Sequence, residues 1–315
     1  MSKTLVIAIG GNSLIKDPQH MTVPDQYRAL GETSGHIAAI IKEGWRVAIG
    51  HGNGPQVGFI LRRSELASHE LHEVPLDVCG ADSQGAIGYE LQQNLANDFL
   101  RMGLDRQAVT VVTQVEVAAD DPAFGDPTKP IGSFMDEAAA ARRRDVDGWS
   151  VKEDAGRGWR RVVASPKPIR IVEEQAVRAL LDDGFVVITV GGGGIPVVAD
   201  GAGLLHGVAA VIDKDYASSL LATVIGAEVF VISTSVERVA LDWGRPSQRW
   251  VDRMTLEEAR AYLAAGSHFA PGSMAPKIEA CIGFLERGGG QAVISSPENL
   301  ELALLGGAGT HIVHG

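Results

Sequence analysis

At 315 residues, 45% hydrophobic and with 38 glycines, the chain carries enough apolar material for one large or two medium domains. No apolar stretch approaches the roughly 18 residues of a membrane span, and a formal charge of −11 argues against a duplex nucleic-acid binder, which needs clustered Lys and Arg. Cys79 and Cys281 form neither C-x-x-C nor a disulfide framework and read as reduced thiols, and the N-terminal apolar run is too short for a signal peptide, so the chain reads as cytoplasmic.

The first element is an apolar run, residues 5–9, that predicts a buried strand and ends in glycines, LVIAIGGNSL. This is neither G-x-x-x-x-G-K-[ST] nor G-x-G-x-x-G, and no Gly-Lys dipeptide occurs in the chain. Residues 26–42 predict a helix closed by Gly44, and residues 46–49 a second strand. A third strand is expected over 109–113, then a helix over 171–181 closed by Gly184 and a strand over 186–190. Residues 216–225 predict a helix closed by Gly226, followed by a strand over 229–233. Thr255 with Glu258 makes a capping box, Pro276 suits the first turn of the next helix, and residues 292–295 are the last strand expected. Helices alternating with nearly all-apolar strands predict an α/β fold whose mostly parallel sheet is covered on both faces.

Residues 117–168 break the alternation, being polar and rich in Pro, Gly and Arg. Trp149, Val151, Trp159, Val162 and Val163 around Gly156 and Gly158 predict a hairpin there. Composition leaves two readings open, a surface excursion or a subdomain over the active-site end of the sheet. Arg142, Arg143 and Arg144 form the densest basic run, with Arg160 and Arg161 a lesser pair, and both read as solvated faces.

The strand-then-glycine pattern recurs in WRVAIGHGNGPQVG and FVVITVGGGGIPV, while VFVISTSV runs from a strand into small hydroxyl residues. In a parallel sheet such loops gather at the carboxyl edge, where ligands bind. Glycine lets main-chain N–H groups approach an anion unobstructed. Positive charge is available from three lysines in structured contexts. Lys214 in VIDKDYASSLLA and Lys277 in APGSMAPKIEA lie at helix starts, where the macrodipole favours an anion over a cation. Lys129 in PTKPIG is held between prolines. Glycine cradles and lysines together suit phosphoryl transfer, which needs its oxygens neutralised and its two ends aligned. The nine histidines show no H-E-x-x-H, and His51 reads as structural.

AIGGNSL, GHGNGPQVG, DVCGADSQGAIGYELQQ, PTKPIG, GRGWRRVVASPKP, GGGGIPV, VIDKDYASSLLA and HFAPGSMAPKIEA, in order from near residue 6 to residue 280, resemble the blocks of carbamate kinases, within the amino acid kinase superfamily. PTKPIG and GRGWRRVV set this family apart from acetylglutamate, aspartate and uridylate kinases. The resemblance implies a three-layer α/β/α sandwich, one amino acid kinase-like domain over 1–315 with a protruding, lid-like subdomain over 117–168. It implies reversible phosphoryl transfer between ATP and carbamate, with ADP and carbamoyl phosphate on the other side, in arginine or purine breakdown. Mg²⁺ would accompany the nucleotide, with no metal ligands assigned on the chain, and the protein would be a homodimer.

Carried over by motif, Lys129, Lys214 and Lys277 contact the transferring phosphoryl group, Asp215 orients the lysines, and Asn12 donates to the same group. Gly10, Gly11, Gly52, Asn53, Gly192 and Gly193 form the small-substrate wall. Thr234, Ser235, Val236, Ser273 and Met274 lie towards the nucleotide, along with Lys214 and Lys277. Ser235 and Ala240 stand where many members carry Asp and Tyr, both on the nucleotide side. Alternative readings are a kinase for another small anionic acceptor and a nucleotide-binding sensor.

Overall fold

A computed structural model describes residues 3–10, 14–15, 19–154, 156–270 and 272–315. The chain opens with β1 (Thr4–Ile9), buried throughout, and α1 (Val23–Lys42). The helix starts earlier than its apolar spacing suggests, because Thr22 and Asp25 cap it reciprocally. Next come β2 (Arg46–His51), α2 (Gly54–Ala67) and the long α3 (Leu76–Met102), which ends in left-handed Gly103. The strand expected over 109–113 divides into β3 (Ala108–Thr110) and β4 (Gln114–Val117). The physical cause lies at Thr113: its amide donates to Gln84 Oε1 at 2.8 Å and its hydroxyl meets Thr189 Oγ1 at 2.8 Å. Side chains thus replace the ladder, and the backbone leaves the sheet.

The excursion follows, with β5 (Lys129–Met135), α4 (Glu137–Asp147), β6 (Val151–Glu153) and β7 (Trp159–Val163). β6 and β7 form the expected hairpin, and β5 pairs with the other edge of β7. β8 (Pro168–Ile171) returns antiparallel to β4, with Val117 opposite Pro168, so the chain leaves and re-enters at facing points. Ile171 belongs to this strand, and α5 (Glu174–Asp182) starts three residues beyond it.

The remainder runs β9 (Val186–Ile188), β10 (Ile195–Ala199), β11 (Leu205–Gly207), α6 (Lys214–Val224) and β12 (Val229–Ser233). Then come β13 (Val239–Leu241), β14 (Arg249–Val251), β15 (Arg253–Thr255), α7 (Leu256–Ala264) and α8 (Met274–Glu286). β16 (Gln291–Ser295), α9 (Leu300–Leu304) and β17 (Thr310–Val313) close the chain.

The central sheet has the order β15-β17-β16-β12-β1-β2-β9-β3, and among the described residues only its β16 and β17 pair antiparallel. Period-two alternation makes three layers of it. Leu5, Ile7 and Ile9 of β1 join Leu30 and Ile37 of α1 and Leu91 and Phe99 of α3 in one core. Val6 and Ala8 join Leu221 of α6 and Phe284 of α8 in the other. A third core seats the excursion, with Ile131 and Val163 against Val57 and Leu61 of α2 and Cys79 of α3. Among the described residues no helix is long and apolar enough to cross a membrane.

Candidate active site

Four neighbouring parallel strands, β12, β1, β2 and β9, end at one edge of the sheet. Gly10 follows β1 so closely against β12 that an added Cβ would lie 2.7 Å from Ser233 O. Gly52 follows β2, donates its N–H to Ile9 O at 3.0 Å, and presents its Cα to the aliphatic chain of Lys214. Asn53 is buried before α2 and donates through Nδ2 to Ser83 Oγ at 2.8 Å. After β9, Gly192 has φ +65°, and a Cβ there would lie 2.1 Å from Asn53 Nδ2. Gly193 backs onto Ile212 O in the same way, beside the start of α6. Gly52, Asn53, Gly192 and Gly193 therefore form one wall, against which Lys214 lies.

The start of α6 carries the charge. Asp213 caps the helix by accepting from the Asp215 amide at 2.8 Å, and its other oxygen accepts from Lys129 Nζ at 2.5 Å. Asp215 is buried and accepts from Lys214 on one oxygen and from Lys277 on the other, the latter at 2.9 Å. Lys129 comes from the first residue of β5, Lys214 from the first turn of α6 and Lys277 from the start of α8. Three ammonium groups on two carboxylates leave one positive charge in excess, in a chain whose net charge is −11.

Burial would raise both carboxyls, but the lysines override it. Lys129, Lys214 and Lys277 hold Asp213 below the ordinary carboxylate range. Lys214 and Lys277 do the same for Asp215. Burial pulls the Lys214 ammonium down, with Asp215 opposing. Lys277 is pushed up: burial opposes its charge, but Asp215 more than compensates. Lys214 and Lys277 thus share one carboxylate, and in a buried setting such surplus positive charge gains most when a further anion arrives.

Thr234 lies after β12 beside Gly10, and its amide donates to Ser295 O at 2.9 Å. Ser235 is exposed and Val236 half-buried at the same edge. Ser273 precedes α8 without a side-chain cap, and Met274 opens that helix ahead of Lys277. Ala240 is buried in β13 opposite Trp250. The candidates Gly11 and Asn12 lie outside the described residues. His51 is buried, donates to Gly52 O at 3.0 Å, and burial pushes its pKa down to about 4, so it is neutral near pH 7.

Two contributors escape a sequence reading. Asp213, which the sequence reading passes over, caps α6 and also holds the lysine of a distant segment. Gln84, on α3, donates to both Thr113 O (3.1 Å) and Gly191 O (3.0 Å), which fixes the glycine loop after β9. Its block was visible, but nothing in the sequence states which backbone groups it satisfies.

The sequence pattern of the amino acid kinase family matches residues 3–296. The chain is 48% identical to the carbamate kinase-like protein YahI of Escherichia coli, over 99% of both chains. It is 46% identical to the carbamate kinase of Clostridium perfringens, over 98% of this chain and 99% of that one. Its fold superposes with a TM-score of 0.91 on the Giardia lamblia carbamate kinase bound to AMP-PNP, at 39% identity over 100% of this chain and 99% of the other.

Proposed function

The chain belongs to the amino acid kinase family as a carbamate kinase, and we propose that Lys129, Lys214 and Lys277 carry its transfer of a phosphoryl group between carbamoyl phosphate and ADP. The supporting observation is their convergence: three lysines from three distant parts of the chain meet on Asp213 and Asp215 at the carboxyl edge of the sheet. ADP attacks the phosphorus of carbamoyl phosphate, the P–O bond to the carbamoyl oxygen breaks, and carbamate leaves with the electron pair. Carbamate then decomposes to ammonia and CO₂. The attacking phosphate is already an anion, so no general base is needed; the barrier is the meeting of two anions. Lys214 and Lys277 supply fixed positive charge to the phosphoryl oxygens, and Asp215 sets their positions. Lys129 arrives with the excursion, residues 117–168, which serves as the lid.

Gly10, Gly11, Asn12, Gly52, Asn53, Gly192 and Gly193 form the carbamate side, with Asn12 donating to the phosphoryl group. A pocket walled by glycine backbones suits an acceptor with no side chain. Thr234, Ser235, Val236, Ser273 and Met274 form the nucleotide side. Among the described residues no group of three His, Cys, Asp or Glu side chains is placed to hold a metal ion, and both site carboxylates already pair with lysines. That donor set fits Mg²⁺ carried on nucleotide phosphates rather than in a protein cage, and the ion would neutralise phosphate oxygens there. The protein would act as a cytoplasmic homodimer in arginine metabolism.

The test is ATP formation from ADP, Mg²⁺ and carbamoyl phosphate. Turnover above the uncatalysed background is expected, with kcat lowered about a hundredfold or more in Lys214→Ala, the scale of one lost transition-state donor. No turnover would overturn the assigned reaction, and a near-normal Lys214→Ala rate would remove that lysine from it.

A further inference from the structure

Away from the lysine cluster, α2 and the excursion enclose a cavity of about 220 Å³, room for about seven waters at ~30 Å³ each. Its wall holds Trp149, and three guanidinium groups surround that single ring: Arg161 at 4.6 Å from the centroid, Arg143 at 5.3 Å and Arg62 at 5.9 Å. Significant cation–π contacts occur about once per 70–80 residues, so three on one ring mark a concentration of like charge. Among the described residues one carboxylate lines the cavity, Glu65, which accepts from Arg161 and from Arg62 at 3.3 Å. Arg143 pairs with Asp147 at 2.7 Å, one turn along the same helix and outside the cavity wall.

The basic run therefore divides by helical phase. Arg142 and Arg144 are exposed, as a solvated face requires, while Arg143 turns inward. On β7, alternation sends Arg161 to Trp149 and Arg160 to Phe134. The rest of the wall is largely apolar, with Leu61 and Phe134 among its members. Three guanidinium groups on two carboxylates, Glu65 and Asp147, leave one positive charge in excess beside apolar walls, which matches a carboxylate with a compact apolar body: the carboxylate takes the planar fork, and the body covers the apolar wall.

We propose that this cavity is a binding site for a small organic carboxylate, separate from the phosphoryl-transfer centre. Its position gives the ligand leverage. One wall is α2, which begins after Asn53, and the other is β5, which begins with Lys129. The two backbones touch below the cavity, where a Cβ on Gly58 would lie 2.1 Å from Gly132 N. A ligand above that contact fastens the excursion to the body of the protein.

The experiment is calorimetric titration of the full chain with phenylacetate, in the presence of saturating Mg²⁺ and a non-hydrolysable ATP analogue. One site per chain is expected, with acetate binding at least about tenfold more weakly because it lacks the apolar body. Arg143→Gln should weaken phenylacetate at least about tenfold, the loss of one charge-assisted hydrogen bond. Ala139→Phe fills the cavity without altering charge and should abolish binding. Both variants should keep the wild-type Tm, since Arg143 and Ala139 sit on the half-exposed α4. No binding at millimolar phenylacetate, or binding that both variants leave unchanged, overturns the proposal. So does phenylacetate binding that disappears when the nucleotide analogue is present.

Discussion

Asp213→Asn separates the two tasks of one side chain. Asn caps a helix about as well as Asp, so the bond to the Asp215 amide survives, while the ion pair to Lys129 is lost. At 2.5 Å and an effective dielectric near 20 the pair is worth about 6–7 kcal/mol of gross Coulomb attraction. Desolvation cancels most of it. Breaking a fully buried pair costs about 3–5 kcal/mol, and these side chains remain 25% and 18% exposed, so about 1–2 kcal/mol is expected. Asp213→Ala should cost about 1 kcal/mol more through the lost cap. The larger consequence is kinetic: Lys129, no longer held, should lower kcat about tenfold or more in both variants. Urea unfolding gives the stabilities and ATP formation the rates. Equal stability of the two variants would refute the cap, and a wild-type kcat in Asp213→Asn would refute the positioning of Lys129.

Gly58→Ala drives a methyl into the Gly132 backbone, so α2 and β5 must part. A loss of about 1–3 kcal/mol is expected from overpacking, together with a fall in kcat as Lys129 shifts; wild-type Tm and rate would show that the contact is slack. Glu90 and His51 give opposite pH dependences. Glu90 is buried with Oε2 unpartnered among the described residues, and burial pushes its pKa up to about 7 from 4.5. A raised folded value means that its contribution, present below pH 4.5, is lost as pH rises through 7. His51, lowered to about 4 from 6.5, contributes above pH 6.5 and loses that as pH falls. The slopes cancel between pH 4.5 and 6.5. Glu90→Gln should therefore match the wild type at pH 4.5 and exceed it by up to about 3 kcal/mol by pH 8. Urea midpoints across that range decide it, and a pH-independent difference would refute the buried charge.

What was legible in the sequence had a local cause. Residues 229–233 and 292–295 are apolar enough to be strands in any context, and Lys214 and Lys277 sat beside recognisable helix starts. The failures had distant causes. Residues 109–113 carry strand propensity throughout, but Gln84, on another helix, takes the amide of Thr113 and ends the pairing. Ile171 fits the helical spacing that follows it, yet it pairs with Val115 across β4 and β8. Asp213 meets Lys129 only because the excursion, seated on α2 and α3, brings the first residue of β5 to the start of α6. Arg143 read as solvated because a basic run does not reveal which member faces Trp149.

The facing of Val117 and Pro168 across β4 and β8 makes the excursion separable in topology though not in packing. A tight turn joining those two positions would close the ladder with no change of strand order. Its loss would uncover Val57 and Leu61 and remove Lys129, leaving the glycine wall, Lys214 and Lys277 on the remaining scaffold. The glycine wall with Lys214 and Lys277 and the segment that brings Lys129 therefore meet the sheet at a single pair of facing residues. A shortened protein of that kind is the natural object in which to ask how much chemistry the cradle performs unaided.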